Sequence, residues 1–272
     1  MLKKKKYLFI YLCITLVFSL ASAIMQTLMW RYIEPETELY VAGSAVPKII
    51  NWILAIMVLI LLSSIFVFRK EKIKPMIAVN QLSVFSSSLC GFFFLASVVL
   101  EIYNFIAKQN KGTALEETFL VIAVILSFPC AWYFFTNAVS SRKNKLLFSY
   151  LSLSPILWSI SYLISSYFSM STTMNSPLRV LEQLMVLCVM IFFLCEAKVT
   201  AKKGSYGNLY ICFGLISILM ISAVAIPRII LATYWLIELK SSLIYFVLQI
   251  SILLYILSKM LHLLFGKDDQ NL

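Results

Sequence analysis

A small set of charged and amide side chains stands where an apolar chain does not ordinarily keep them. Glu101 follows the run CGFFFLASVVL and precedes IYNFIA. Arg179, Glu182 and Gln183 open the stretch SPLRVLEQLMVLCVMIFFLCEAKVTAKKG at 176–204, and Glu196 lies near its end. A carboxylate at membrane depth is costly and faces a partner or water, so each is a candidate for ligand binding or for a polar pathway. Glu101 is the leading one. It reads either as a helix-packing hydrogen bond to Arg179, Arg228 or a polar side chain, or as a group that meets a ligand or a proton.

Arg179 precedes Glu182 by three residues and Gln183 by four, so the three share one helix face. They read as an interfacial ion pair that fixes helix depth, or as the polar mouth of a cavity. Glu182 and Glu196 are fourteen residues apart. At about 100° and 1.5 Å per residue they fall within about 40° of one face and about 21 Å apart, an acidic stripe. Lysines and arginines of neighbouring loops are the expected partners of Glu196.

Other chemistries find less support. Ser258 and His262, the only histidine, are one turn apart, a spacing open to a nucleophilic pair. Lys259 and Lys267 flank them, however, so a cationic helix end is the simpler reading. No HExxH, GxGxxG or P-loop is present, and the only aspartates are Asp268 and Asp269 in the tail. The six cysteines all fall in apolar runs without CxxC spacing and read as small buried hydrophobes. We therefore expect no enzyme, no catalytic residue, no metal and no cofactor.

The elements that position these residues follow from composition. The chain has 272 residues, 61% hydrophobic and only 13% charged, far from the balance of a soluble domain. Eight apolar runs, at about 7–30, 49–68, 77–107, 118–139, 146–168, 178–200, 208–227 and 241–265, are long enough to span a bilayer. The expected fold is all-α, a polytopic transmembrane helical bundle forming a single integral membrane domain over 1–272. No loop is large enough for a separate domain.

The net charge of +11 is a topology signal and not a nucleic-acid footprint. Sixteen of the 23 Lys and Arg lie in the flanks 1–6, 69–76, 140–145, 198–207 and the tail from Lys259. Glu34, Glu36, Glu38, Glu116 and Glu117 lie on the opposite side. By the positive-inside rule both termini are cytoplasmic. Lys3 to Lys6, an apolar core and Ala21-Ser22-Ala23 resemble a secretory signal. Apolar character continues to Trp30, which favours an uncleaved first span.

Ser176 and Pro177 predict a helix start as N-cap and first helical residue. Pro129 and Pro155 sit within spans four and five at similar depth and are candidate helix breaks. Each would free a carbonyl four residues back, at Ile125 and Leu151. Broken helices at mid-depth build many transporter sites, though membrane helices also tolerate proline. Ser152, Pro155, Ser159, Tyr162 and Ser166 form a stripe on span five, and Ser86-Ser87-Ser88 with Gly91 a patch on span three. Both suit helix packing, and the first could equally line a wet cavity. The segment 227–240 reads as an interfacial connection between spans seven and eight.

EPETELY at 34–40 and SPLRVLEQL…FFLCEAK at 176–198 resemble stretches of a group of uncharacterised eight-span integral membrane proteins of low-GC Gram-positive bacteria. The resemblance implies a bacterial cytoplasmic membrane and carries over no catalytic residue. The leading expectation for function is a small-solute or ion-coupled transporter, or a transporter membrane subunit. Its partners would be the lipid bilayer, a small-molecule ligand and an unidentified membrane or ATPase partner, with no nucleic acid. The rival is a non-transporting sensor, regulator or assembly partner whose polar residues only hold helices together.

Overall fold

The computed structural model describes residues 2–34, 39–69, 81–106, 113–139, 149–169, 176–201, 206–233 and 243–265. The described chain is an all-α bundle with eight helices long and apolar enough to cross a membrane, which makes it a multi-pass membrane protein. We label them α1 (Leu2–Met29), α2 (Val46–Leu62, continued by the turn Ser64–Val67), α3 (Gln81–Ile106), α4 (Ala114–Ala138), α5 (Ser154–Phe168), α6 (Pro177–Thr200), α7 (Gly207–Thr233) and α8 (Leu243–Phe265).

The hub of the bundle is α7. It packs against α1, α2, α6 and α8, and its residues from Tyr210 to Ala225 are buried almost without interruption. A helix that is apolar all round belongs in a core. Its small residues permit close approach. Gly214 lies so near Met260 of α8 that a Cβ would meet that side chain at 2.5 Å. The second layer is α3, α4 and α5. Gly91 of α3 faces the Phe135 ring of α4 in the same way, at 2.9 Å.

Antiparallel α4 and α5 are tied at one end by side-chain hydroxyls that donate to backbone. Thr113 Oγ1 reaches Phe168 O at 3.3 Å, and Ser165 Oγ reaches Glu116 O at 3.2 Å. Thr113 also caps α4 by accepting from the Glu116 amide at 3.2 Å. The serine patch of α3 is a packing device as well, because Ser86 Oγ donates to Ser258 Oγ of α8 at 2.9 Å.

Three expectations need correction. Helix α4 runs through Pro129 without interruption, so Pro129 is not a break. Pro155 stands in the first turn of α5, where its missing N–H has no partner to lose. The interruption is the turn at 152–153 that precedes it, and the Leu151 carbonyl accepts from the Ser154 hydroxyl at 2.7 Å. The segment from 227 is not interfacial at its start, because α7 continues through Pro227 and Arg228 to Thr233. The remainder of that segment, 234–240, lies outside the described residues.

The first connection folds back on the bundle. A short 3₁₀ turn, Trp30–Tyr32, leads to an isolated antiparallel bridge between Ile33 and Tyr40. Met29 and Ile33 pack with Ile50 and Leu178 as a small satellite core over the start of α6. Gly43 has φ +84°, the left-handed conformation that favours glycine, and turns the chain into α2.

Candidate functional site

The start of α6 forms as its sequence predicts. Ser176 accepts from the Arg179 amide at 3.3 Å, with Pro177 at the first helical position. The first turn then sends Leu178, Arg179 and Glu182 inward. Arg179 does not pair with Glu182. Its guanidinium donates to the carbonyls of Ser166 and Tyr167. Those orphan carbonyls end α5, where a cation also suits the helix dipole. Gln183 is half-buried and joins neither group. The expected Arg179–Glu182–Gln183 cluster is therefore absent.

The partner of Glu182 is Arg228 of α7. Arg228 Nη1 donates to Glu182 Oε2 at 2.7 Å, and Nη2 donates to the Leu178 carbonyl at 3.3 Å. The guanidinium also lies 4.9 Å from the centroid of the Phe246 ring. The other carboxylate oxygen of Glu182 accepts from the Tyr162 hydroxyl at 2.9 Å. Helices α5, α6 and α7 are thus joined through one carboxylate. With side chains 11% and 10% exposed, the pair is buried and excellently bonded, the condition under which an internal ion pair holds.

Tyr162 links this pair to a chamber. A cavity of about 40 Å³ lies between α3, α4, α5 and α8. Its polar and aromatic lining is Ser97, Glu101, Ser127, Trp158, Tyr162 and Tyr245, and aliphatic side chains complete the wall. At about 10–15 Å³ per enclosed water, it has room for about three waters. Glu101 is the one charged side chain in the wall, with the Asn104 amide as its neighbour one turn on. It bonds neither Arg179 nor Arg228, whose partners are those given above. Glu101 and Glu182 are not in contact, and Tyr162 stands between them. The rings of Tyr162 and Tyr245 stack with centroids 4.4 Å apart, and Trp158 stacks on Tyr162 at 5.5 Å.

The second glutamate of α6 is buried on the same face, as the fourteen-residue spacing requires. Tyr255 of α8 donates to Glu196 Oε1 at 2.6 Å, and Tyr133 of α4 lies within hydrogen-bonding reach. Buried Lys259 is 5.1 Å from the Tyr255 ring centroid. Tyrosines of the helices are thus among the groups around Glu196. Most lysines of the neighbouring loops, Lys202 and Lys203 among them, lie outside the described residues.

Between the two glutamates is an aromatic layer. Phe134 of α4 touches Phe94 at 5.4 Å, Phe193 at 5.9 Å and Tyr255 at 5.0 Å. Trp158 meets Phe94 at 5.1 Å. The layer runs from the Trp158 wall of the chamber to the Tyr255 ligand of Glu196.

The sequence offers Arg228 only as a partner of Glu101, and Tyr245 and Tyr255 carry no reading there. Arg228 was hidden by Pro227, which reads as a helix end. A signal for α8 was available, since Tyr245 and Gln249, and again Tyr255 and Lys259, repeat at i, i+4 within an apolar span. Ser258 and His262 form no pair: Ser258 donates to Tyr255 O at 2.7 Å and accepts from Ser86.

No family model matches the chain, and no curated protein or solved structure matches it. The class that fold and site define is a multi-pass helical membrane protein with a buried, charged interior.

Proposed function

We propose that this membrane protein is an ion-coupled transporter of a small solute, or the membrane subunit of one, and that the Glu101 chamber is where its cargo or coupling ion sits. The observation that carries the reading is the position of Tyr162. Its ring lines the chamber and its hydroxyl holds the buried Glu182–Arg228 pair. A change of charge at Glu101 is therefore one side chain away from an ion pair that joins three helices. Occupancy of the chamber can bias how those helices pack, which a carrier requires. The aromatic layer would then be the barrier of a closed state. The reading takes both termini to be on the cytoplasmic face of a bacterial membrane, supported by the basic flanks.

The test is accumulation in vesicles holding the purified protein under an imposed sodium or proton gradient. A panel of small charged and neutral solutes is supplied outside, and the contents are read by mass spectrometry. Accumulation above empty vesicles that Glu101→Gln abolishes supports the reading. No accumulation of any solute, under either gradient, would sink it.

A second reading has an observation of its own. Phe94, Phe134, Phe193 and Tyr255 close the interior between the chamber and Glu196. A sensor, regulator or assembly partner needs no continuous path. That reading predicts a membrane partner that copurifies from native membranes and is lost when Arg228 is replaced.

A further inference from the structure

The hydroxyls around the chamber have their protons committed elsewhere. Ser97 Oγ donates to the Phe94 carbonyl at 2.8 Å, and Ser127 Oγ to the Ala123 carbonyl at 2.9 Å. Tyr162 Oη donates to Glu182 at 2.9 Å. A hydroxyl has one proton and two lone pairs. Once the proton is engaged, the oxygen can offer only lone pairs to the space beside it. The remaining hydroxyl in the wall, Tyr245 Oη, is buried beside Tyr162 and Gln249. Glu101 contributes a full negative charge when ionised. Arg228, the nearby cation that the network holds, is turned to Glu182 and the Leu178 carbonyl.

We propose that the chamber is a binding site for a small monovalent cation, of the class of sodium, potassium or ammonium. The inference rests on reading the chamber as the working site of the protein, and it adds the chemistry of its occupant. Lone-pair oxygens around one carboxylate repel anions and favour a cation. A single carboxylate neutralises one positive charge, whereas calcium and magnesium sites draw on more oxygen ligands and more charge. A volume of about 40 Å³ fits a monovalent ion with one or two waters. With the ion bound, Glu101 has a counter-charge.

Binding is measured on purified full-length protein in detergent, without a gradient. Melting temperature and tryptophan fluorescence are followed while sodium, potassium or ammonium chloride replaces N-methylglucamine chloride at constant ionic strength. We expect at least one of the three cations to give a saturable rise in melting temperature and a saturable fluorescence change. Glu101→Gln should abolish both. Trp158→Phe should remove the fluorescence change and keep the thermal one. Ser127→Ala, which deletes one ligand oxygen and leaves the charge, should weaken the apparent affinity about tenfold.

No difference among the four salts overturns the proposal, and so does an undiminished response in Glu101→Gln. If Glu101→Gln does not fold, Ser127→Ala decides: unchanged affinity overturns the proposal. The two readings fail separately. Saturable cation binding in a protein that accumulates nothing in vesicles removes the transport reading and leaves this one. Accumulation without any specific cation response does the reverse.

Discussion

Tyr162 donates its hydroxyl proton to Glu182 across 2.9 Å while its ring lines the chamber that holds Glu101. The two carboxylates are therefore not a shared acidic pair. One is neutralised by Arg228 at 2.7 Å, and the other lines a space large enough for an ion or water. The structure thus separates a paired carboxylate from one that lines a cavity. Burial with a guanidinium that donates to its carboxylate and to the Leu178 carbonyl makes Glu182 part of the scaffold. A half-buried position at a cavity wall leaves Glu101 able to exchange partners.

Replacing Arg228 with Gln should strand the Glu182 charge in the interior. Removing one member of a buried pair costs about 3–5 kcal/mol, so a large fall in melting temperature in detergent is the expected result. The double variant Glu182→Gln/Arg228→Gln should be markedly more stable than Arg228→Gln alone, because no bare charge remains. Equal stability of the single and double variants would show that the pair is not what holds α6 to α7.

Arg179→Ala should weaken the bundle through α5, not through Glu182. The guanidinium bonds two terminal carbonyls of α5, and hydrogen bonds to charged groups are worth about 1.5–3 kcal/mol. Hydrogen exchange should rise at residues 165–168 while the Glu182–Arg228 contact persists. Loss of protection at 224–228 instead would place Arg179 in the ion pair.

The number of helices, their class and most of their limits could be read from the sequence because apolar length is a local property. The shared face of Glu182 and Glu196 could be read for the same reason, since helical phase follows from residue spacing alone. Partners could not. Whether Glu182 meets Arg179 at i−3 or Arg228 on another helix depends on which helices are neighbours, and spacing within one span carries no information about that. Pro155 shows a subtler limit. A proline in an apolar run is equally compatible with a kink and with a helix start, and the turn at 152–153 decides between them. Helix α7 was legible in principle, because its small and apolar residues occupy every face. Its central place became evident only when the other helices were set around it.

Gly91→Ala should part α3 from α4. The new methyl would meet the Phe135 ring at 2.9 Å, and overpacking of this kind costs about 1–3 kcal/mol. Adding Phe135→Leu should recover much of the loss. Scanning calorimetry of the single and double variants in detergent checks this, and additive losses would mean that the two residues do not meet in the working protein.

Topology is open to a direct check by labelling single cysteines in intact cells of a host bacterium, in a background without the native six. A cysteine at position 36 should react with a membrane-impermeant maleimide, and one at position 143 should react only after permeabilisation. The reverse pattern would invert the orientation drawn from the basic flanks.

The account stands or falls on Glu101. Vesicles carrying the wild-type protein or Glu101→Gln, matched for protein content and orientation, are given an imposed sodium or proton gradient and the same panel of small solutes. The account predicts accumulation of at least one solute or cation by the wild type and a return to the level of empty vesicles in Glu101→Gln. The variant should elute as the same monodisperse species. Equal accumulation by both proteins, or none by the wild type, would contradict it.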